Sequence, residues 1–191
     1  MDSSSPFRPQ ARQSVQHPFA LRTFAPSPAS LALAGSVRRD GDHLSLRYRL
    51  EDPEGLVLVP PASAAPRRCY DLWTSTCFEF FLAEPGAEPY WEVNLAPNGD
   101  WNLFRLSGYR QGLAPDPAII DLPFVVERAG GGLDLMVTLD LGALLPLAGR
   151  PLELAVTAVV ELRDGEILYW ALAHPGEQAD FHWREGFGLR L

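Results

Sequence analysis

Four side chains able to bind a polar ligand fall within 24 residues: Glu79, Glu92, Asn94 and Asn102. They sit in three aromatic-rich runs, 76–82, 90–96 and 101–106, that alternate in the manner of strands. Because side chains in a strand point to opposite faces in turn, the four can share one face. Phe78, Phe80, Val93, Leu95, Trp101 and Leu103 then occupy the other. Tyr70 and Trp73 precede this patch, Trp91 interrupts its edge, and Tyr109 and Arg110 follow it. Aromatic rings beside fixed amides and carboxylates suit a sugar, whose C–H face packs on a ring while its hydroxyls take hydrogen bonds. The same pattern also fits solvent-facing polar residues on a half-buried sheet, with the tryptophans as core anchors.

A second cluster runs from His174-Pro175 through Asp180-Phe181-His182-Trp183-Arg184-Glu185. The eight-residue separation of its two histidines is not a metal-ligand spacing, so His182 is read as a structural residue or a ligand contact and no metal site is assigned. Calcium bracing a loop stays open, although no loop has the Asp-rich spacing of a dedicated calcium site. Glu79 and Glu92 could in principle serve as acid and base on a glycosidic bond. No nucleophile elbow, phosphate loop or dinucleotide fingerprint is present, and Gly130-Gly131-Gly132 reads as a hairpin turn. The expectation is therefore a binding module without catalytic residues.

Positioning these groups requires a sheet. The 191 residues suit one domain with a sizeable core, and 47% hydrophobic against 21% charged residues exclude global disorder. Sixteen glycines and 18 prolines fall between short apolar runs, which favours strands joined by turns. About ten strands are predicted, with turns at Asp40-Gly41-Asp42, Asn98-Gly99 and Asp164-Gly165, and a Pro/Ala loop over 60–68 long enough to rim a site. The fold class is all-β, an antiparallel sandwich. Residues 1–18, rich in Ser, Pro, Gln and Arg, are expected to form a flexible arm before a ligand-binding domain over 19–191.

The net charge of −8, with no basic cluster, argues against nucleic acid and anionic lipid as partners. The N-terminal residues carry no signal-peptide pattern and no later segment is apolar enough to span a bilayer, so a cytoplasmic protein is expected. The two cysteines are then thiols, Cys77 as a small core residue and Cys69 in a loop. Oligomeric state is not readable from these features.

The run Leu72-Trp73-Thr74-Ser75-Thr76-Cys77-Phe78-Glu79-Phe80-Phe81-Leu82, followed by Tyr90-Trp91-Glu92-Val93-Asn94-Leu95-Ala96-Pro97-Asn98-Gly99-Asp100-Trp101-Asn102, resembles a bacterial DOMON-like family, itself distantly related to family 9 carbohydrate-binding modules. Gly108-Tyr109-Arg110 and Asp180-Phe181-His182 also look like its pattern. The resemblance implies an immunoglobulin-like sandwich with a ligand site on one face. It makes Trp73, Glu92, Asn94, Asn102 and Arg110 the matching ligand contacts, with Trp170 as a candidate second wall. Relatives bind sugars or haem. No cofactor is expected, but a haem-binding redox module is the alternative; its axial pair would be Met136 with His174 or His182, although Met136 between Leu135 and Val137 reads as core filling. A protein-interaction domain using an exposed sheet edge is the further alternative. Fold alone does not choose among these.

Overall fold

In the computed structural model, which describes residues 15–191, almost every ordered element is a strand. The strands are β1 (Gln16–Ala20), β2 (Arg22–Thr23), β3 (Ala32–Asp40), β4 (His43–Glu51), β5 (Cys77–Ala83), β6 (Tyr90–Leu95), β7 (Trp101–Leu106), β8 (Ala114–Pro115), β9 (Phe124–Ala129), β10 (Gly132–Asp140), β11 (Glu153–Glu161), β12 (Ile167–Ala171) and β13 (Leu189–Arg190). They form an antiparallel β-sandwich. One sheet runs β1-β3-β4-β10-β9, and the other runs β2-β12-β11-β5-β6-β7-β8 with β13 also paired to β11. The chain changes sheets at Leu21, between β1 and β2. Of the segment assigned to an arm, residues 1–14 lie outside the described residues, whereas Gln16–Pro18 pair in β1 with β3. Composition hid that strand because β1 is an edge with little alternation.

Period-2 patterning explains the core. Leu44, Leu46, Tyr48 and Leu50 of β4 point inward, and so do Leu133, Leu135, Val137 and Leu139 of β10. They meet Phe78, Phe80 and Leu82 of β5, Val93 and Leu95 of β6, and Leu154, Val156, Ala158 and Val160 of β11. Gly35 on β3 faces Tyr48; a Cβ there would lie 2.6 Å from the Phe19 ring and 1.9 Å from the Arg47 carbonyl, so only glycine allows this approach. Asn98-Gly99 turns the chain between β6 and β7 with Gly99 at φ 103°. No helix among the described residues is long and apolar enough to cross a membrane.

Three tryptophans settle in this interior. Trp91 is not an interruption at the edge of the polar face: it is buried in the core and its indole N–H donates to Asp116 Oδ2 at 2.9 Å. Trp101 is buried there too, with the Arg68 guanidinium over its ring. Trp170 is also buried in the core and is no wall of a site. Met136, expected to fill the core, is half-buried on the outer face of β10, because its neighbours Leu135 and Val137 take the inward positions.

Tyr48 ties the sheets together. Its ring packs in the core at 5.7 Å from Phe19 and 5.2 Å from Phe78, and its hydroxyl crosses to donate to the backbone carbonyl of Glu79. Tyr48→Phe removes a buried hydrogen bond without leaving a cavity, so it should cost about 1–2 kcal/mol and lower Tm by about 2–8 °C, read by thermal unfolding. An unchanged Tm would mean that the hydroxyl contributes nothing to joining the sheets.

Candidate functional site

The outer face of the eight-stranded sheet is covered over its central strands. On β5, β6, β7 and β11 the residues pointing away from the main core, Phe81, Ala83, Tyr90, Phe104, Leu106 and Ala155, build a second apolar cluster with Phe187 from the C-terminal segment. Trp73, from a short 3-10 turn over Leu72–Thr74, and Phe181 pack against it. The segment 172–188 therefore covers this face. Glu79 and Glu92 are 2% and 4% exposed, and Asn94 and Asn102 are fully enclosed. The reading of these four as solvent-facing residues is thus excluded.

A pocket of about 300 Å³ opens between the sheet and its cover. Glu79 and Phe81 from β5, Glu92 from β6, Val159 from β11 and Tyr169 from β12 line its sheet side. Leu106 from β7 joins them, and Trp73, Arg110, Leu113, Ala179, Phe181 and His182 line the rest. Five of the eight residues singled out from sequence (Trp73, Glu79, Glu92, Arg110 and His182) come together here. Asn94, Asn102 and Tyr109 stand behind the wall. Asn94 Nδ2 donates to Glu92 Oε1 at 2.8 Å and orients that carboxyl. Asn102 Nδ2 holds the Cys69 carbonyl at 2.7 Å, fixing the loop that carries Trp73. Tyr109 donates to Asp180 Oδ2 and accepts from Trp183 Nε1 at 3.1 Å.

Asp180, a member of the late polar cluster with no role assigned to it from sequence, organises the cover. Its carboxylate takes the Tyr109 hydroxyl, the Arg110 guanidinium at 3.0 Å and the His182 backbone N–H at 2.9 Å. Burial opposes its charge, yet these three donors hold its carboxyl below the usual range. The pair fastens the 107–113 loop to the C-terminal segment, and Arg110 adopts a left-handed φ of 52° to reach it. Tyr90 completes the clamp: its oxygen accepts the Arg110 backbone N–H at 3.2 Å and lies 2.7 Å from His182 Nδ1.

The electrostatics are unbalanced. Burial raises the Glu79 carboxyl well above its usual range, and the nearby charge of Glu92 raises it further. Burial likewise raises Glu92, against the pull of Asn94 and Arg110. Oε1 of Glu79 and Oε2 of Glu92 are buried without a hydrogen-bond partner. Burial and the Arg110 charge lower His182 to about 4, so its ring is neutral at neutral pH.

Tyr169 is the wall that sequence reasoning gave to Trp170. Alternation in β12, anchored on inward Leu168 and Trp170, could have found it. Phe81 shares its parity with Glu79 and was equally readable. Phe181 and Asp180 lie in irregular chain, where no periodicity speaks.

The axial pair proposed for haem does not form. Met136 lies on the outer face of the five-stranded sheet, while His182 lines the pocket on the outer face of the other sheet and His174 joins Phe24 and Phe181 beside it. The whole sandwich separates methionine from either histidine. Among the described residues, no group of three His, Cys, Asp or Glu side chains is placed to hold a metal ion.

The chain matches no known family model and no curated protein. Among solved structures it is similar to a candidate carbohydrate-binding protein from Bacteroides uniformis. The two share 15% identity over 92% of this chain and 84% of the other, with a TM-score of 0.65. Two structures of a family 9 carbohydrate-binding module from Caldicellulosiruptor kristjanssonii also match. The cellotriose complex has 12% identity, 82% and 72% coverage of this and the other chain, and a TM-score of 0.49; the glucose complex has 11%, 76% and 69%, and 0.44. At these identities what is shared is the fold.

Two buried groups give opposite pH signatures. His182 falls from an ordinary 6.5 to about 4, so it contributes about 3 kcal/mol that is present above pH 6.5 and lost as pH falls through about 4. His182→Gln should flatten that part of the Tm-against-pH curve. Glu79 is raised, so its contribution is complete below its ordinary value and is lost as pH rises above it. Glu79→Gln should therefore stabilise the protein at about pH 8 and change it little at about pH 4.5. Equal shifts at both pH values would show that Glu79 binds no extra proton in the folded state.

Proposed function

We propose that this domain binds a carbohydrate without transforming it, in the pocket between Trp73, Tyr169 and the Glu79–Glu92 floor. The observation that carries this reading is the pairing of ring surfaces with unpartnered buried carboxyl oxygens in one small cavity. Trp73, Phe81, Tyr169 and Phe181 offer apolar faces for the C–H side of a sugar ring. Glu79 and Glu92 offer acceptors for its hydroxyls, and Arg110 and His182 border the same space. The Bacteroides uniformis neighbour that shares this fold is itself a candidate carbohydrate-binding protein, which agrees with the reading at a coarse level.

The carboxyls support binding over hydrolysis. Glycosidic cleavage sets one carboxylic acid against one ionised carboxylate, which requires environments that push the two apart. Here burial pushes both the same way.

A thermal-shift series with monosaccharides and short oligosaccharides tests the reading. A sugar at about one hundred times its Kd adds about 2.7 kcal/mol, hence a Tm rise of about 5–10 °C in a chain of this size. Trp73→Ala, checked for folding by circular dichroism, should abolish the rise. A flat response across the series would sink the proposal, and a rise unaffected by Trp73→Ala would move the site elsewhere.

A further inference from the structure

Resting on the carbohydrate reading, the charge layout identifies the kind of sugar. Glu79 and Glu92 are enclosed, face the same cavity, and each keeps one oxygen with no hydrogen-bond partner. Two carboxylates removed from water need a counter-charge or must hold protons. Among the described residues lining the pocket, Arg110 is the lone permanent cation, and its guanidinium is engaged by Asp180 at 3.0 Å. His182 is neutral, with Nδ1 against the Tyr90 hydroxyl. Arg110 and Asp180 compensate each other, so the floor has two acids and no cation of its own.

We propose that the pocket is selective for an amino sugar, whose ammonium group supplies the missing positive charge to the bare oxygens of Glu79 and Glu92. An ammonium carries three N–H donors and can serve both oxygens at once through charge-assisted hydrogen bonds. A neutral sugar hydroxyl has one proton to donate and brings no charge to the floor. In the free protein burial pushes both carboxyls toward their protonated forms. An ammonium displaces a proton from the carboxyl it neutralises, and that proton leaves to solvent. The ring of such a ligand would still pack on Trp73 and Tyr169, so the aromatic walls serve both this inference and the reading it rests on.

Isothermal titration separates the two. D-Glucosamine and D-galactosamine would be titrated into the intact protein at a pH where the amine is protonated, alongside glucose, galactose and the N-acetylated sugars, which keep the ring and lose the charge. The expected result is affinity for at least one free amino sugar about tenfold or more above its neutral counterparts, as a charge-assisted bond should give. Glu79→Gln and Glu92→Gln, each confirmed folded by circular dichroism, should bring that ratio toward one. Neutral sugars binding as tightly as the amino sugars would overturn the amino-sugar inference and leave the carbohydrate reading standing. No binding by any of these sugars would overturn both. A preference that survives both glutamine substitutions would overturn the assignment to Glu79 and Glu92.

Discussion

The central strands β5, β6 and β11 of the eight-stranded sheet are buried on both faces, and the character of the site follows from that constraint. A sandwich sheet with one solvated face could hold Glu79 and Glu92 cheaply, as ordinary outward carboxylates. Here every residue of β5 and β6 is buried, so the inward positions go to Phe78, Phe80, Val93 and Leu95 while the outward ones must also leave water. The outward set is mixed: Phe81, Tyr90 and Phe104 build an apolar floor that draws the cover down, and the two glutamates interrupt it. Apolar burial stabilises the cover, and the carboxyls oppose it. A fold that keeps two such groups in an apolar layer, each with an unmatched oxygen, gives up stability at that spot.

What the cover does to the pocket is decided by Asp180. One carboxylate collects a hydroxyl, a guanidinium and a backbone N–H from two separate chain segments. This binds the 107–113 loop to the C-terminal segment and at the same moment spends the positive charge of Arg110. Mechanical closure and charge imbalance therefore share a cause. Had Arg110 been free to pair with Glu92, one of the two acids would have been compensated and Glu79 alone left with a bare oxygen. Because the guanidinium is held at the rim, it lowers His182 and moderates Glu92 from a distance without removing the unmatched acceptors.

Much of this architecture was legible in the chain because alternation is a local signal. The assignment of Phe78, Phe80, Val93, Leu95, Trp101 and Leu103 to one face and Glu79, Glu92, Asn94 and Asn102 to the other holds residue by residue. The all-β sandwich followed from the same periodicity. The short strands β1, β2 and β8 escaped, since two to five residues with few apolar positions do not make a pattern. Trp91 and Trp170 were misplaced for a different reason: aromatic type was weighed above parity, and parity puts both inward. What sequence could not show is that the polar face is enclosed. That depends on 172–188 folding back across β5 and β6, a long-range closure carried by Asp180, Phe181 and Phe187, none of which lies in a regular element.

The fold by itself leaves the ligand open, since a sandwich of this kind can present many sites on the same sheet. Discrimination must come from groups that a wrong ligand leaves unpaired, because a missing partner for a buried polar atom costs more than an imperfect apolar contact. The rings of Trp73, Tyr169, Phe81 and Phe181 can accept many flat or partly apolar molecules and so exclude little. The oxygens of Glu79 and Glu92 are different: a ligand without donors at that end of the cavity buries them unpaired, and an anionic ligand adds repulsion. On the proposed reading, specificity is therefore a property of the floor, with the aromatic walls supplying contact area to whatever the floor admits.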